Sequence, residues 1–119
     1  MITEIIRTDL TPPCIEDMVI NTLGIMEEYK LTEIPVINQN NQLLGIVNEN
    51  TLLNMEDLRQ TLNFVQHKFN HAHTKLNTHL FQCMETITKY QLSLLPIIND
   101  QIEYVGNLTA LDIVKKIKQ

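Results

Sequence analysis

Val19, Leu23 and Met26 recur at the spacing of one helix face, and Leu80, Met84 and Ile87 repeat that pattern in the second half of the chain. Each set predicts a helix. Behind each helix comes Tyr-x-Leu (Tyr29 and Leu31, then Tyr90 and Leu92) and a short apolar run, Ile34–Ile37 or Leu94–Ile98, whose length suits a buried strand. The polar strings Asn38-Gln39-Asn40-Asn41 and Asn99-Asp100-Gln101 read as turns, because Asn and Asp tolerate left-handed backbone conformations. A second apolar run, Leu43–Val47 or Tyr104–Leu108, predicts another strand, and Glu49–Asn54 or Ala110–Lys118 a closing helix. A lead-in strand is expected before each first helix, around Thr8–Thr11 and around Phe69–His73. Pro12 and Pro13 end the first of these, since neither ring donates to a ladder. Asp17 and Thr78 stand just ahead of the first helices and are residue types that cap helix N-termini.

The two halves align without a gap. Pro35 and Gly45 return as Pro96 and Gly106, each 61 positions on (96 − 35; 106 − 45), and these are two of only three glycines in the chain. A copied supersecondary unit that cannot bury its apolar face alone is expected to pack on its copy across a pseudo-twofold, which makes the cleft between the copies the place to look for function. The expected fold class is mixed α/β (α+β), with two β-α-β-β-α repeats in one compact module. The expected boundaries are residues 1–54 for the first repeat, 55–66 for a linker helix with Leu58, Leu62 and Val65 on one face, and 67–119 for the second.

Composition narrows the function classes. Among 119 residues, 44% are hydrophobic and 19% charged, an ordinary globular balance. Nine basic against fourteen acidic side chains, a net charge of −5, lack the basic footprint that nucleic acid requires. No apolar run approaches a membrane span and the first residues do not form a signal peptide. With Cys14 and Cys83 read as two reduced thiols, the expected location is the cytoplasm.

The candidate chemistry sits in Gly106-Asn107-Leu108-Thr109-Ala110-Leu111-Asp112. A strand running into a helix presents free backbone N–H groups at the helix start, and the Thr109 hydroxyl stands beside them, so an anion placed there meets several donors. Asp112, three residues on, is placed to accept both hydroxyls of a ribose. The bland alternative stays open: Thr109 a cap and Asp112 a first-turn carboxylate favoured by the helix dipole. In the first repeat Asn48 and Thr51 occupy the matching positions, so no carboxylate is available there.

Apolar-Pro-apolar-apolar-Asn, a polar turn, then Gly-x-apolar-Thr-x-x-Asp, all in tandem, resembles a pair of cystathionine-β-synthase (CBS) domains, a Bateman module, over nearly the whole chain. The resemblance implies a compact α/β pair, often a homodimer, that binds adenine nucleotides or related adenosyl ligands. It implies a site of Thr109 and Asp112, with Asn107 on the floor and Leu10, Thr32 and Glu33 around the base. The expected function is therefore a stand-alone regulatory module sensing AMP, ADP, ATP or another adenosyl compound. No cofactor is required and the effector protein is unknown. The rival is a degenerate pair serving as a dimerisation scaffold, to which the missing Asp of repeat 1 and the scarcity of cations near the phosphate position lend weight. His71 and His73 alternate as if on one strand face, but lack the carboxylate or thiol partners of a metal site. No nucleophile pattern supports an enzyme.

Overall fold

The computed structural model describes residues 2–119. Among the described residues nine α-helices and β-strands carry the two repeats: α1 (Val19–Tyr29), β1 (Glu33–Ile37), β2 (Leu43–Asn48) and α2 (Glu49–Leu53) in the first, and β3 (Thr74–Lys75), α3 (Leu80–Tyr90), β4 (Leu94–Ile98), β5 (Tyr104–Thr109) and α4 (Ala110–Ile117) in the second. The helices and strands expected from the periodicity are present, each within a residue or two of its expected bounds. The region expected as a linker helix carries a 3-10 helix over Leu62–Lys68, with Leu62 and Val65 buried one turn apart.

The chain forms two compact units, residues 12–71 and residues 2–11 together with 72–119. Packing unit and sequence repeat are thus different divisions of the chain, because the N-terminal segment packs with the second repeat. In the unit of residues 12–71, β1 and β2 are antiparallel, with Pro35 opposite Ile46. Ile34, Val36, Val47, Leu52 and Leu62 are fully buried there. In the other unit β3 runs parallel to β4, which is antiparallel to β5, and Leu95, Ile97, Leu108 and Ile113 form the core.

The turns are copies of each other. Asn38 Oδ1 accepts from the amides of Asn40 and Gln42, both at 2.9 Å, while Asn99 Oδ1 accepts from Gln101 and Glu103 at the same distance. Each turn ends on a left-handed residue, Asn41 at φ 62° and Ile102 at φ 65°. The lead-in strands are shorter and later than expected. Cys14 makes a single parallel bridge to Ile37, and only Thr74 and Lys75 form β3. Asp17 and Thr78 do not cap the first helices, whose N-caps are Met18 and His79. They close the preceding turns instead: Asp17 Oδ2 accepts from the Cys14 amide at 2.9 Å and Thr78 Oγ1 from the Lys75 amide at 3.3 Å.

Gly45 and Gly106 hold matching places with φ of 148° and 158°. A Cβ on Gly45 would stand 2.8 Å from Phe69 Cβ, and one on Gly106 2.8 Å from the Arg7 carbonyl oxygen and from Ile6 Cγ1. Each glycine lets a strap of chain cross close to its hairpin. Over β5 the strap is the N-terminal segment, joined by Arg7 N–H to Asn107 O at 2.8 Å and Asn107 N–H to Arg7 O at 2.9 Å. Over β2 it is the segment at Asn70, joined to Ile46 by bonds of 2.7 and 2.8 Å.

Candidate functional site

The junction of β5 and α4 brings the sequence-predicted chemistry together. Thr109 is the N-cap of α4 in extended conformation, and its Oγ1 accepts from the Asp112 amide at 3.1 Å. That satisfies one of the helix's orphan donors and fixes Asp112 in the first turn. The Asp112 carboxylate is 17% exposed, and both oxygens are taken by Arg7: Nε donates to Oδ2 at 2.6 Å and Nη2 to Oδ1 at 3.2 Å. The guanidinium holds the Asp112 carboxyl below the usual carboxylate range, aided by the Thr109 bond and by Lys115. Arg7 is itself held still more firmly protonated by Asp112. The expectation that few cations border this position is corrected here, since Arg7 lies directly on it.

Two residues before Thr109 on β5, Asn107 is buried at 4% exposure. Its Nδ2 donates to the Tyr104 hydroxyl at 2.7 Å, while Oδ1 has no donor. A buried carbonyl oxygen left in that state costs about 1–3 kcal/mol, so the position calls for an N–H or O–H from elsewhere. Burial, with the negative charge of Asp9, pushes the Tyr104 phenol well above its ordinary range and keeps it a neutral hydroxyl.

The remaining predicted residues divide between the units. Leu10 is buried at 6% in the unit that contains Thr109, Asp112 and Asn107. Thr32 and Glu33 belong to the unit of residues 12–71, where the Thr32 hydroxyl donates to Glu33 Oε2 at 3.0 Å and the Thr32 carbonyl accepts from the Glu49 amide at 2.8 Å. Glu33 is 7% exposed. Among the described residues no three His, Cys, Asp or Glu side chains are grouped to hold a metal ion, and no helix is long and apolar enough to cross a membrane.

Sequence reasoning missed Arg7. It lies 105 positions from Asp112, and nothing local to it marks the pairing. A second ion pair on the same strap, Glu4 with Lys116 one turn further along α4, was equally invisible.

The model of the CBS domain matches residues 2–57 and 72–119. The chain belongs to the CBS-domain family. Among curated relatives, inosine-5'-monophosphate dehydrogenase of Aquifex aeolicus is 30% identical over 98 residues, which are 81% of this chain and 20% of that enzyme. The same enzyme of Halalkalibacterium halodurans is 26% identical over 109 residues, 92% of this chain and 22% of its own length. The chain therefore spans about a fifth of the length of the curated relatives it matches, and the likeness to those enzymes falls in that part alone.

Solved CBS structures share the fold. A CBS domain pair/ACT domain protein from Thermotoga maritima superposes with a TM-score of 0.85 at 18% identity, over 97% of this chain and 93% of that one. CBSX2 in complex with AMP matches at a TM-score of 0.74 and 20% identity, over 98% and 96% of the two chains. The CBS domain of a bacterial CNNM/CorC family Mg2+ transporter in complex with ATP matches at 0.77 and 15%, over 98% and 86%. These likenesses establish the mixed α+β fold with two CBS repeats expected from the sequence.

Proposed function

We propose that this CBS-domain pair is a regulatory module that binds one adenosine-containing ligand per chain at the β5–α4 junction. The observation that carries the reading is the buried Asn107 Oδ1 without a donor, set on the strand that ends in the Thr109 cap and leads into the helix carrying Asp112. Carboxylate, hydroxyl, helix N-terminus and a carbonyl oxygen awaiting a donor are together what a ribose phosphate and the edge of a base need. CBS structures that hold AMP and ATP support the same ligand class. Leu10, Thr32 and Glu33 enter the reading through the family resemblance.

A ligand shifts conformation only by its difference in affinity for two states, so the regulatory output needs an effector that reads one of them. We also expect two copies to associate in the cytoplasm through helical faces, since Phe81 and Leu111 are 58% and 61% exposed. A monomer by light scattering at micromolar concentration removes that part.

The test is calorimetric titration of the parent and Asp112→Ala with AMP, ATP and adenosine. Loss of the charge-assisted bonds should weaken binding about tenfold to a hundredfold while the variant stays folded. The second reading, a scaffold without ligand, is favoured by the Arg7–Asp112 pair, which gives the carboxylate a structural partner. It prevails if the parent binds no adenosyl compound, whereas unchanged affinity in Asp112→Ala removes Asp112 from the site and unfolding makes it a structural partner.

A further inference from the structure

Both oxygens of Asp112 are engaged by one guanidinium. A ribose diol needs the same two oxygens, because each hydroxyl must donate to a lone pair facing it. A carboxylate has about four lone-pair sites, but a two-pronged guanidinium and a diol both approach its open end, so the two compete for the same face. Arg7 is brought there by its backbone: its N–H and C=O exchange bonds with Asn107 at 2.8 and 2.9 Å, under the space left by Gly106. Its side chain is 53% exposed against 17% for Asp112, so the guanidinium can turn out to water while the carboxylate stays in place. Asp9, two residues along the same strap, is a second acid within electrostatic reach of Arg7. The strap keeps its other anchors when that side chain leaves, namely the backbone bridge and the pairing of Glu4 with Lys116.

We propose that Arg7 is a built-in competitor for the ligand site: it occupies the ribose-binding face of Asp112 and must be displaced for an adenosyl ligand to bind. The inference rests on the ligand reading above and adds its regulation. An affinity measured on the whole protein is lowered by the fraction of time the site is open. For a half-exposed ion pair that factor is about twofold to sixfold. Because the competitor is a charge pair and the nucleoside is neutral, salt acts in an unusual direction. Screening the pair opens the site and tightens the binding of an uncharged ligand.

Adenosine is the probe, since it carries the diol without a phosphate. Arg7→Met keeps the backbone bridge and much of the side-chain length but removes the guanidinium, and it should bind adenosine about twofold to sixfold more tightly than the parent. Raising salt from about 0.1 M to about 1 M shortens the screening length from ~10 Å to ~3 Å, and should tighten adenosine binding by the parent more than by the variant. Equal or weaker adenosine binding by a folded Arg7→Met, or the same salt response in both proteins, overturns the competitor. So does a variant whose AMP affinity falls while its adenosine affinity stays, which would make Arg7 a phosphate ligand. Failure of the underlying reading looks different: neither protein binds adenosine, AMP or ATP at all, and the inference falls with the site.

Discussion

At the β2–α2 junction Asn48 Oδ1 accepts from the Thr51 amide at 2.8 Å, and at the β5–α4 junction Thr109 Oγ1 accepts from the Asp112 amide at 3.1 Å. Each closes the start of a helix three residues on, in positions 61 apart. The first junction does so with Thr51 where the second has Asp112, so a carboxylate at that position is not needed to close the cap. What it has instead is a partner from the start of the chain and a neighbouring buried oxygen without a donor. Duplicated scaffolds separate structure from function in this way. What both copies keep belongs to the fold, and what one copy has alone is where function is to be sought.

The largest effect should fall on what both copies keep. Gly45→Ala and Gly106→Ala each place a Cβ 2.8 Å from the crossing strap, at a φ that L side chains rarely adopt, so each should lower stability by about 2–3 kcal/mol in denaturant titration. A large loss at one glycine and none at the other would break the equivalence of the two straps. Next comes what one copy has alone. Calorimetry should give one ligand per chain, with Asp112→Ala costing about 1.5–3 kcal/mol of binding and Thr51→Ala little. Two equivalent sites would erase the distinction between the junctions.

A smaller difference lies in the turns. Ile102 takes the left-handed conformation that Asn41 takes in the first repeat, although a β-branched residue resists it. Ile102→Asn should therefore stabilise by about 0.5–1 kcal/mol, read as a rise in Tm, while Asn41→Ile should cost a similar amount. The smallest effect concerns acid. Asp112 has its pKa lowered by Arg7 in the folded state, so the pair's contribution is present above the unfolded carboxylate value of about 3.9 and is lost as pH falls through the folded one. Arg7→Met should remove about 0.2–1 kcal/mol at neutral pH and nothing once Asp112 is protonated. A variant equally destabilised at both pH values would show that Arg7 acts through packing.

The helices and hairpins were legible because their signals are local: an apolar face, a strand with its proline, an Asn that closes its own turn. Thr109 and Asp112 were legible as a pair because they stand three positions apart within one motif. Asp17 and Thr78 were misread as caps because an Asx or Ser/Thr side chain that closes a turn looks the same in sequence as one that caps the helix just after it. The lead-in strands were misplaced because a single bridge at Cys14 carries no alternation to detect. Arg7 escaped since a long-range ion pair leaves no periodicity, and the charge of Asn107's neighbourhood depends on a strap whose partner strand lies 100 residues on (107 − 7).

The strap over β5 also sets an order of events during synthesis. Residues 12–71 are one continuous stretch of chain, whereas residues 2–11 pack with residues 72–119, which are made later. At about 5–20 residues per second, the 48 residues from 72 to 119 (119 − 71) take roughly 2–10 s. Through that interval Ile6 and Arg7 have no strand to lie on. Residues 2–11 are thus made before residues 12–71 yet placed only with 72–119, and the arginine reaches Asp112 only when α4 has emerged.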